Sequence, residues 1–331
     1  MEGSYVETEE GLIFSVKGLH HPEGMIIAYL RYVPDPEGDR RRGPSKYRRV
    51  YDLDETQGFL EAHYPQYLNH VEERGLLLQS VPLDRIVKVY TPRDGIQPVL
   101  ESPRTELEKT SAKFASAISS ESGVPPGEMG VSGSLLLGLA RAASDVDLIV
   151  YGVNNGFKAH EAIRRLREGS GWVKPYDTVG AEKIAAERWG GTGIDLRVFV
   201  HAESCKVLHG LVDGREYFVR LVRRPEEYDI GLASRAIGRV KLRATVTRAE
   251  ECIFTPCTYL LGDCEYIEPE EGPFVTQLNS YRGKFTEQAS EGEVVEVYGS
   301  LEEVRSKDGI LHRVMLGGRG DYLVPVSLLD R

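Results

Sequence analysis

Residues 130–152 read GVSGSLLLGLARAASDVDLIVYG. The stretch holds a short strand, a Gly133-Ser134 turn that opens a helix, and a second strand, Ser144 to Val150, carrying Asp145 and Asp147. Alternate side chains of an extended strand share a face. Asp145, Asp147 and Ile149 therefore point one way, and Val146, Leu148 and Val150 point the other way, into a core. Two carboxylates so placed stand about 7 Å apart at the backbone, and their oxygens can converge on a pair of magnesium ions about 4 Å apart. Without a cation their charges repel. A glycine turn leading into a helix lets N–H groups and a hydroxyl approach phosphate oxygens closely, and the helix start adds partial positive charge. Gly-Ser alone is a weak signal. Gly-Ser, then ten residues, then Asp-Val-Asp on a strand is far more specific.

Upstream, residues 1 to about 100 read as an α+β module. Leu12 to Val16 and Met25 to Val33 are strand-like, and His20-His21-Pro22-Glu23-Gly24 joins them as a turn. Arg40, Arg41, Arg42, Lys46, Arg48 and Arg49 form the densest basic segment, interleaved with Tyr47 and Tyr51. Gly43-Pro44 breaks it, so the first three arginines are expected on a loop and Tyr47 to Tyr51 at the start of a strand. The segment reads as a solvated loop or as a contact for phosphates with a tyrosine for stacking. A helix is expected over Thr56 to Glu73, interrupted near Pro65, then a strand over Arg85 to Tyr90. Pro92 to Pro103 reads as a linker. Ser102-Pro103 then opens a helix with Leu107, Phe114 and Ile118 on its apolar stripe.

Downstream, Ala159, Ala162, Ile163 and Leu166 mark an amphipathic helix closed by Gly169. Thr178 to Trp189 reads as another helix. Ile194 to Val200 reads as a strand that turns Asp195, Arg197 and Phe199 to one face, where Asp195 becomes a third carboxylate if the strand lies beside that of Asp145. From about Arg239 onward five short strands in under a hundred residues suggest a small β-barrel, of the oligonucleotide-binding type.

Composition sets bounds. At 331 residues the chain suits two or three domains. Its apolar runs fall far short of the roughly 20 residues that span a bilayer. The acidic start, MEGSYVETEEG, shows no signal peptide, so a cytoplasmic protein with no membrane partner is expected. A net charge of −10 argues against indiscriminate nucleic-acid binding but leaves room for a local basic groove. Few Asn, Gln, Met and Cys beside plentiful Arg lean toward a thermophile. Cys205, Cys252, Cys257 and Cys264 lack CxxC spacing, which favours small buried thiols over zinc ligands or a disulfide.

Ser132-Gly133-Ser134 and Asp145-Val146-Asp147-Leu148 resemble the signature of the DNA polymerase β-like nucleotidyltransferases. That signature is a hydrophobic residue, Gly, then Gly or Ser, roughly a dozen residues, and an alternating Asp, hydrophobic, Asp or Glu, hydrophobic. Ser132 departs from it by standing where an apolar residue is usual. The resemblance covers about Leu107 to Val200. LRYVPD (Leu30 to Asp35) and the flanks also resemble an archaeal group of predicted nucleotidyltransferases. The implied fold is α+β and multidomain: an N-terminal α+β module (1–100), a polymerase-β-like nucleotidyltransferase α/β domain (101–230) and a small C-terminal β-barrel (235–331).

The implied activity transfers a nucleoside monophosphate, expected to be AMP, from an NTP to an acceptor hydroxyl with release of pyrophosphate. Gly133 and Ser134 would bind the nucleotide. Asp145, Asp147 and Asp195 would be catalytic and hold Mg²⁺ or Mn²⁺. Arg141, Lys174 and Arg197 are candidates to neutralise phosphate. ATP is the expected co-substrate and RNA a possible acceptor, with a protein or small-molecule acceptor, or an inactive nucleotide- or RNA-binding regulator, as alternatives.

Overall fold

The computed structural model describes residues 1–71, 76–228, 233–306 and 309–329. The expected helix end at Glu73 and domain border at residue 230 lie outside them. The fold is mixed α+β, and the chain divides into two compact units, one of residues 1–162 and 212–220 and the other of residues 163–211 and 221–331. No helix among the described residues is long and apolar enough to cross a membrane.

The first unit opens with strands β1 (Tyr5–Thr8), β2 (Ile13–Val16), β3 (Met25–Pro34), β4 (Arg40–Arg42) and β5 (Ser45–Arg49). Then come helix α1 (Leu53–His63), strands β6 (Leu68–Val71), β7 (Leu76–Pro82) and β8 (Ile86–Tyr90), and helices α2 (Pro92–Glu101) and α3 (Glu106–Ser122). β9 (Met129–Val131), α4 (Gly133–Leu136), β10 (Val146–Tyr151) and α5 (Val153–Gly169) follow. The N-terminal sheet runs β4-β5-β3-β2-β1-β8, with β7 beside β3. Consecutive residues face opposite ways. Phe14 thus packs with Leu30, Leu60 and Tyr67, while Ile13 packs with Tyr32, Tyr47, Leu137 and Leu139. The second cluster seats the sheet on the segment after α4.

Local chemistry explains four departures from the sequence reading. Arg40 to Arg42 form a strand rather than a loop, because Gly43, at φ +59°, turns the chain into a β4–β5 hairpin. Pro92 to Glu101 is a helix, not a linker: Pro92 occupies its first turn, where no N–H is needed. α3 is capped by Thr105 instead of Ser102. Its hydroxyl accepts from Glu108 N at 3.2 Å while Glu108 Oε2 accepts from Thr105 N at 2.8 Å. Past His63, Pro65 ends α1, and Leu68–Val71 is a strand where helix was expected.

The chain then forms β11 (Val173–Lys174), α6 (Thr178–Trp189), α7 (Leu196–Cys205), β12 (His209–Val212) and β13 (Arg215–Val222). Then come β14 (Ala233–Arg248), β15 (Phe254–Thr255), which pairs with the end of β13, β16 (Cys257–Glu268), β17 (Val275–Ser280), β18 (Val294–Ser306), β19 (Gly309–Leu316) and β20 (Tyr322–Pro325), followed by α8 (Val326–Leu329). In the second unit β14-β16-β17-β19-β18 close back onto β14 as a five-stranded barrel, with β17 and β19 parallel and β20 added to β18. Val240, Leu242, Ala244 and Val246 of β14 fill its interior. Between them Arg239, Lys241 and Arg243 face outward, paired with Asp321 and Glu296.

The barrel side meets α6 and α7 through a buried ionic knot. Glu203 accepts from Arg188 at 2.8 Å, Trp189 Nε1 at 3.0 Å and Lys206 Nζ at 3.0 Å, and Lys206 also donates to Lys284 O at 2.6 Å. Of the cysteines, Cys252 and Cys257 are buried, Cys264 is half-buried and Cys205 is exposed.

Candidate active site

β9 and β10 are antiparallel, pairing Val131 with Leu148 and Met129 with Val150. Val146, Leu148 and Val150 are buried, whereas Asp147 and Asp145, just ahead of the strand, keep partial exposure; Ile149, expected on their face, is buried close to Gly3, so burial stops alternating after Asp147. Ser132 N donates to Asp147 O at 2.9 Å, which ties the turn to the strand. Gly133 adopts φ +59°, and a Cβ there would stand 1.9 Å from Asp147 Oδ2 and 2.8 Å from Cγ. The glycine's first task is thus to admit the Asp147 carboxylate. The next side chain, Ser134, is buried, and its hydroxyl has no hydrogen-bond partner among the described residues. A buried hydroxyl without a partner costs stability unless a ligand satisfies it.

The electrostatics follow from crowding. Burial, and then the charge of Asp145, push the Asp147 carboxyl well above the usual range, while Arg49 and Arg220 act the other way. Arg49 comes from β5. Although desolvation opposes its charge, Tyr32, Asp145 and Asp147 hold it firmly protonated. Arg220 is engaged by Glu2, which also accepts from Lys17 at 2.8 Å and from Gly18 N at 2.9 Å. Burial lowers the Lys17 ammonium to about 8. The N-terminal segment also reaches the turn, where Ser132 Oγ donates to Gly3 O at 2.8 Å.

Gly133, Ser134, Asp145 and Asp147 therefore all fall in the first unit, while Asp195 falls in the second. The strand expected over Ile194 to Val200 is a helix, α7, with Asp195 as its N-cap. Apolar residues in short runs fit strand or helix equally, and here Phe199, Ala202 and Glu203 are buried at helical spacing. Asp195 accepts from Arg197 N at 2.9 Å and Arg197 Nε at 3.0 Å, contacts that hold its carboxyl down to about 2. Among the phosphate candidates, Arg197 is thus committed to Asp195, Arg141 pairs with Asp39, and Lys174 is exposed on β11.

Two residues escaped the sequence reading. The first is Arg49 as the member of the basic segment that faces the carboxylates. The second is Glu216 on β13, the strand next to β10. Tyr217 and Val219 are buried, Tyr217 with its ring 4.8 Å from Phe114 of α3. Alternation then puts Glu216, Phe218 and Arg220 on the other face, the one on which Arg220 acts on Asp147. Arg215 anchors the strand start, donating to Ala142 O at 2.6 Å and Ser144 O at 2.7 Å. The signal was present in Asp213-Gly214, a hairpin dipeptide with both residues at positive φ, between two alternating runs. Among the described residues no three His, Cys, Asp or Glu side chains gather as metal ligands.

The chain is 28% identical to the uncharacterized protein MJ1086 of Methanocaldococcus jannaschii over 327 residues, 95% of this chain and 94% of that one. No protein-family profile and no solved structure matches the chain.

Proposed function

We infer that the chain is a nucleotidyltransferase that moves a nucleoside monophosphate, AMP in the simplest case, from an NTP to an acceptor hydroxyl. The observation that carries this reading is the Gly133–Asp147 contact: a bare α-carbon opposite a carboxylate that a neighbouring carboxylate repels. Two acids held together, whose repulsion Arg49 and Arg220 offset only in part, beside an unsatisfied buried hydroxyl, fit a divalent cation that arrives with phosphate oxygens. Asp145 and Asp147 would hold Mg²⁺ or Mn²⁺, which when bound neutralises the triphosphate and acidifies the acceptor hydroxyl. The Ser134 hydroxyl donates to a phosphate oxygen, and the glycine turn keeps side chains out of its path. The acceptor oxygen bonds to the α-phosphorus as the bond to the β-phosphate oxygen breaks, and pyrophosphate leaves.

Glu216 is the better candidate than Asp195 for the third carboxylate, which takes the acceptor's proton. It lies on the strand beside β10, whereas Asp195 caps a helix and is bound to Arg197. The five-stranded closed barrel supports an oligonucleotide-binding type. Its surface does not favour RNA, because Arg239, Lys241 and Arg243 of β14 are paired with carboxylates and β16 exposes Asp263, Glu265 and Glu268.

Incubation with each labelled NTP and Mg²⁺ or Mn²⁺, with and without RNA, protein or small-molecule extract, tests the reading and identifies the acceptor. Asp145→Ala and Asp147→Ala should each lower transfer by at least about a hundredfold. Glu216→Ala should match them and Asp195→Ala should not. Equal transfer by wild type and Asp145→Ala removes the assignment, and nucleotide binding without transfer to any acceptor favours a regulator.

A further inference from the structure

We propose that Glu2 is a positioning residue of the carboxylate site: it engages the Arg220 guanidinium, so that Arg220 does not pair with Asp147 and the Asp147 carboxylate stays open to a cation. Glu2 is 2% exposed, and both of its oxygens are committed. Oε1 accepts from Lys17 Nζ at 2.8 Å and from Arg220 Nη1, and Oε2 accepts from Gly18 N at 2.9 Å. The adjoining backbone is fixed on the site. Gly3 O accepts from Ser132 Oγ at 2.8 Å, one residue ahead of Gly133. A Cβ at Gly3 would stand 2.0 Å from Ile149 Cδ1, so the bare α-carbon lets the segment pack on the strand that carries Asp147.

Arg220 stands on β13, the neighbour of β10, and alternation sets it opposite the buried Val219 and Leu221. Its charge acts on Asp147, yet among the described residues its ion pair is with Glu2. Tyr5 of β1 feels both groups: burial, then Tyr32 and Asp147, push its hydroxyl up, and Arg31 and Arg220 act against them. Two carboxylates thus compete for one guanidinium. Glu2 holds it because Lys17 and Gly18 N also stabilise the Glu2 charge, whereas Asp145 repels the charge of Asp147. Without the Glu2 charge, Arg220 and Lys17 are left largely buried and uncompensated, and Asp147 is the carboxylate on which Arg220 already acts. A guanidinium paired there competes with a cation for the same oxygens. Arg49, on β5, acts on Asp147 in either case. That an open Asp147 serves nucleotidyl transfer rests on the function proposed above, but the competition for Arg220 does not.

A double-mutant cycle on the full chain in EDTA tests the competition without metal or transfer. Arg220→Gln and Asp147→Asn are made singly and together, in the wild type and again with Glu2→Gln, and unfolding constants are read from denaturant titrations. The coupling of Arg220 to Asp147 should stay within about threefold in the wild type and grow at least about tenfold once Glu2 is changed. Mn²⁺ affinity, read by electron paramagnetic resonance, should fall at least about tenfold in Glu2→Gln and return in Glu2→Gln/Arg220→Gln. A merely structural Glu2 predicts no such rescue, since the second change removes its partner as well. Should Glu2→Gln fail to fold, Glu2→Asp, which draws the carboxylate back by one methylene, should shift both readouts in the same direction. Equal coupling in the two backgrounds overturns the proposal, as does Mn²⁺ affinity that removal of Arg220 fails to restore. A wild type that binds no Mn²⁺ removes the function proposed above, and the cycle in EDTA then decides the role of Glu2 by itself.

Discussion

A methyl group added at Gly133 would meet Asp147 Oδ2 at 1.9 Å, in a backbone conformation that already disfavours a side chain. Gly133→Ala should therefore lose more than about 2 kcal/mol in denaturant unfolding, of which roughly 1 kcal/mol is backbone strain. The rest is the clash, so in an Asp147→Ala background the same change should cost only the strain, a coupling that a double-mutant cycle measures. Asp147→Asn acts with the opposite sign on stability. It removes a charge held near Asp145 and partly desolvated, so the metal-free protein should gain about 1 kcal/mol at pH 8 while transfer is lost. A gain in stability paired with a loss of activity separates a site residue from a scaffold residue. The juxtaposition of Asp145 and Asp147 was legible because alternation along an extended chain is a two-residue pattern. Arg49 was not, since no spacing distinguishes it from the five basic residues around it, and only the ladder partner Tyr32 fixes its direction.

The α6–α7 pair makes the stability of one element depend on pH. Burial would raise the Glu203 carboxyl, but Lys206, Arg188 and His209 and the Trp189 hydrogen bond outweigh it and hold it at about 2. The folded value lies below the unfolded one, so its stabilisation is present above pH 4.5 and lost as pH falls toward 2. At about 1.4 kcal/mol per unit the span is worth about 3 kcal/mol. Denaturation midpoints between pH 2 and 6 should fall steeply for wild type and more shallowly for Glu203→Gln, whose stability at pH 7 should be lower by about 3 kcal/mol because Lys206 is left buried without its counter-charge. α7 itself was misread as a strand because Val198 and Val200 are β-branched. The knot that makes it a helix depends on Arg188 and Lys284, far off in sequence. α6 was legible to the residue, since Asp177 caps it and Gly190 follows it.

Taken whole, the chain passes between its two units inside α5, β12 and β13, so the first unit is completed by residues 212–220, well after it begins. A fragment of residues 1–162 lacks β13 and leaves one edge of β10 unpaired, and unpaired edges template aggregation. That fragment should elute as aggregate in gel filtration where the full chain does not. The α+β character and the C-terminal barrel were legible from recurring short strands and turn residues. The hairpin of β12 and β13 was signalled by Asp213-Gly214, but its place beside β10 was not, because a strand read locally gives no hint of which strand it will lie beside. The barrel carries a consequence for synthesis. Its first strand, β14, is closed by β18, through pairs as distant as Ala233 with Arg305 and Thr245 with Val294. Such long loops are slow to close, and the ribosome delivers β14 well before its partner. Until residue 305 emerges, the edge of β14 over residues 233–245 waits in part unpaired, so slowing translation just upstream of β18 should lengthen the interval in which a chaperone can bind the nascent chain.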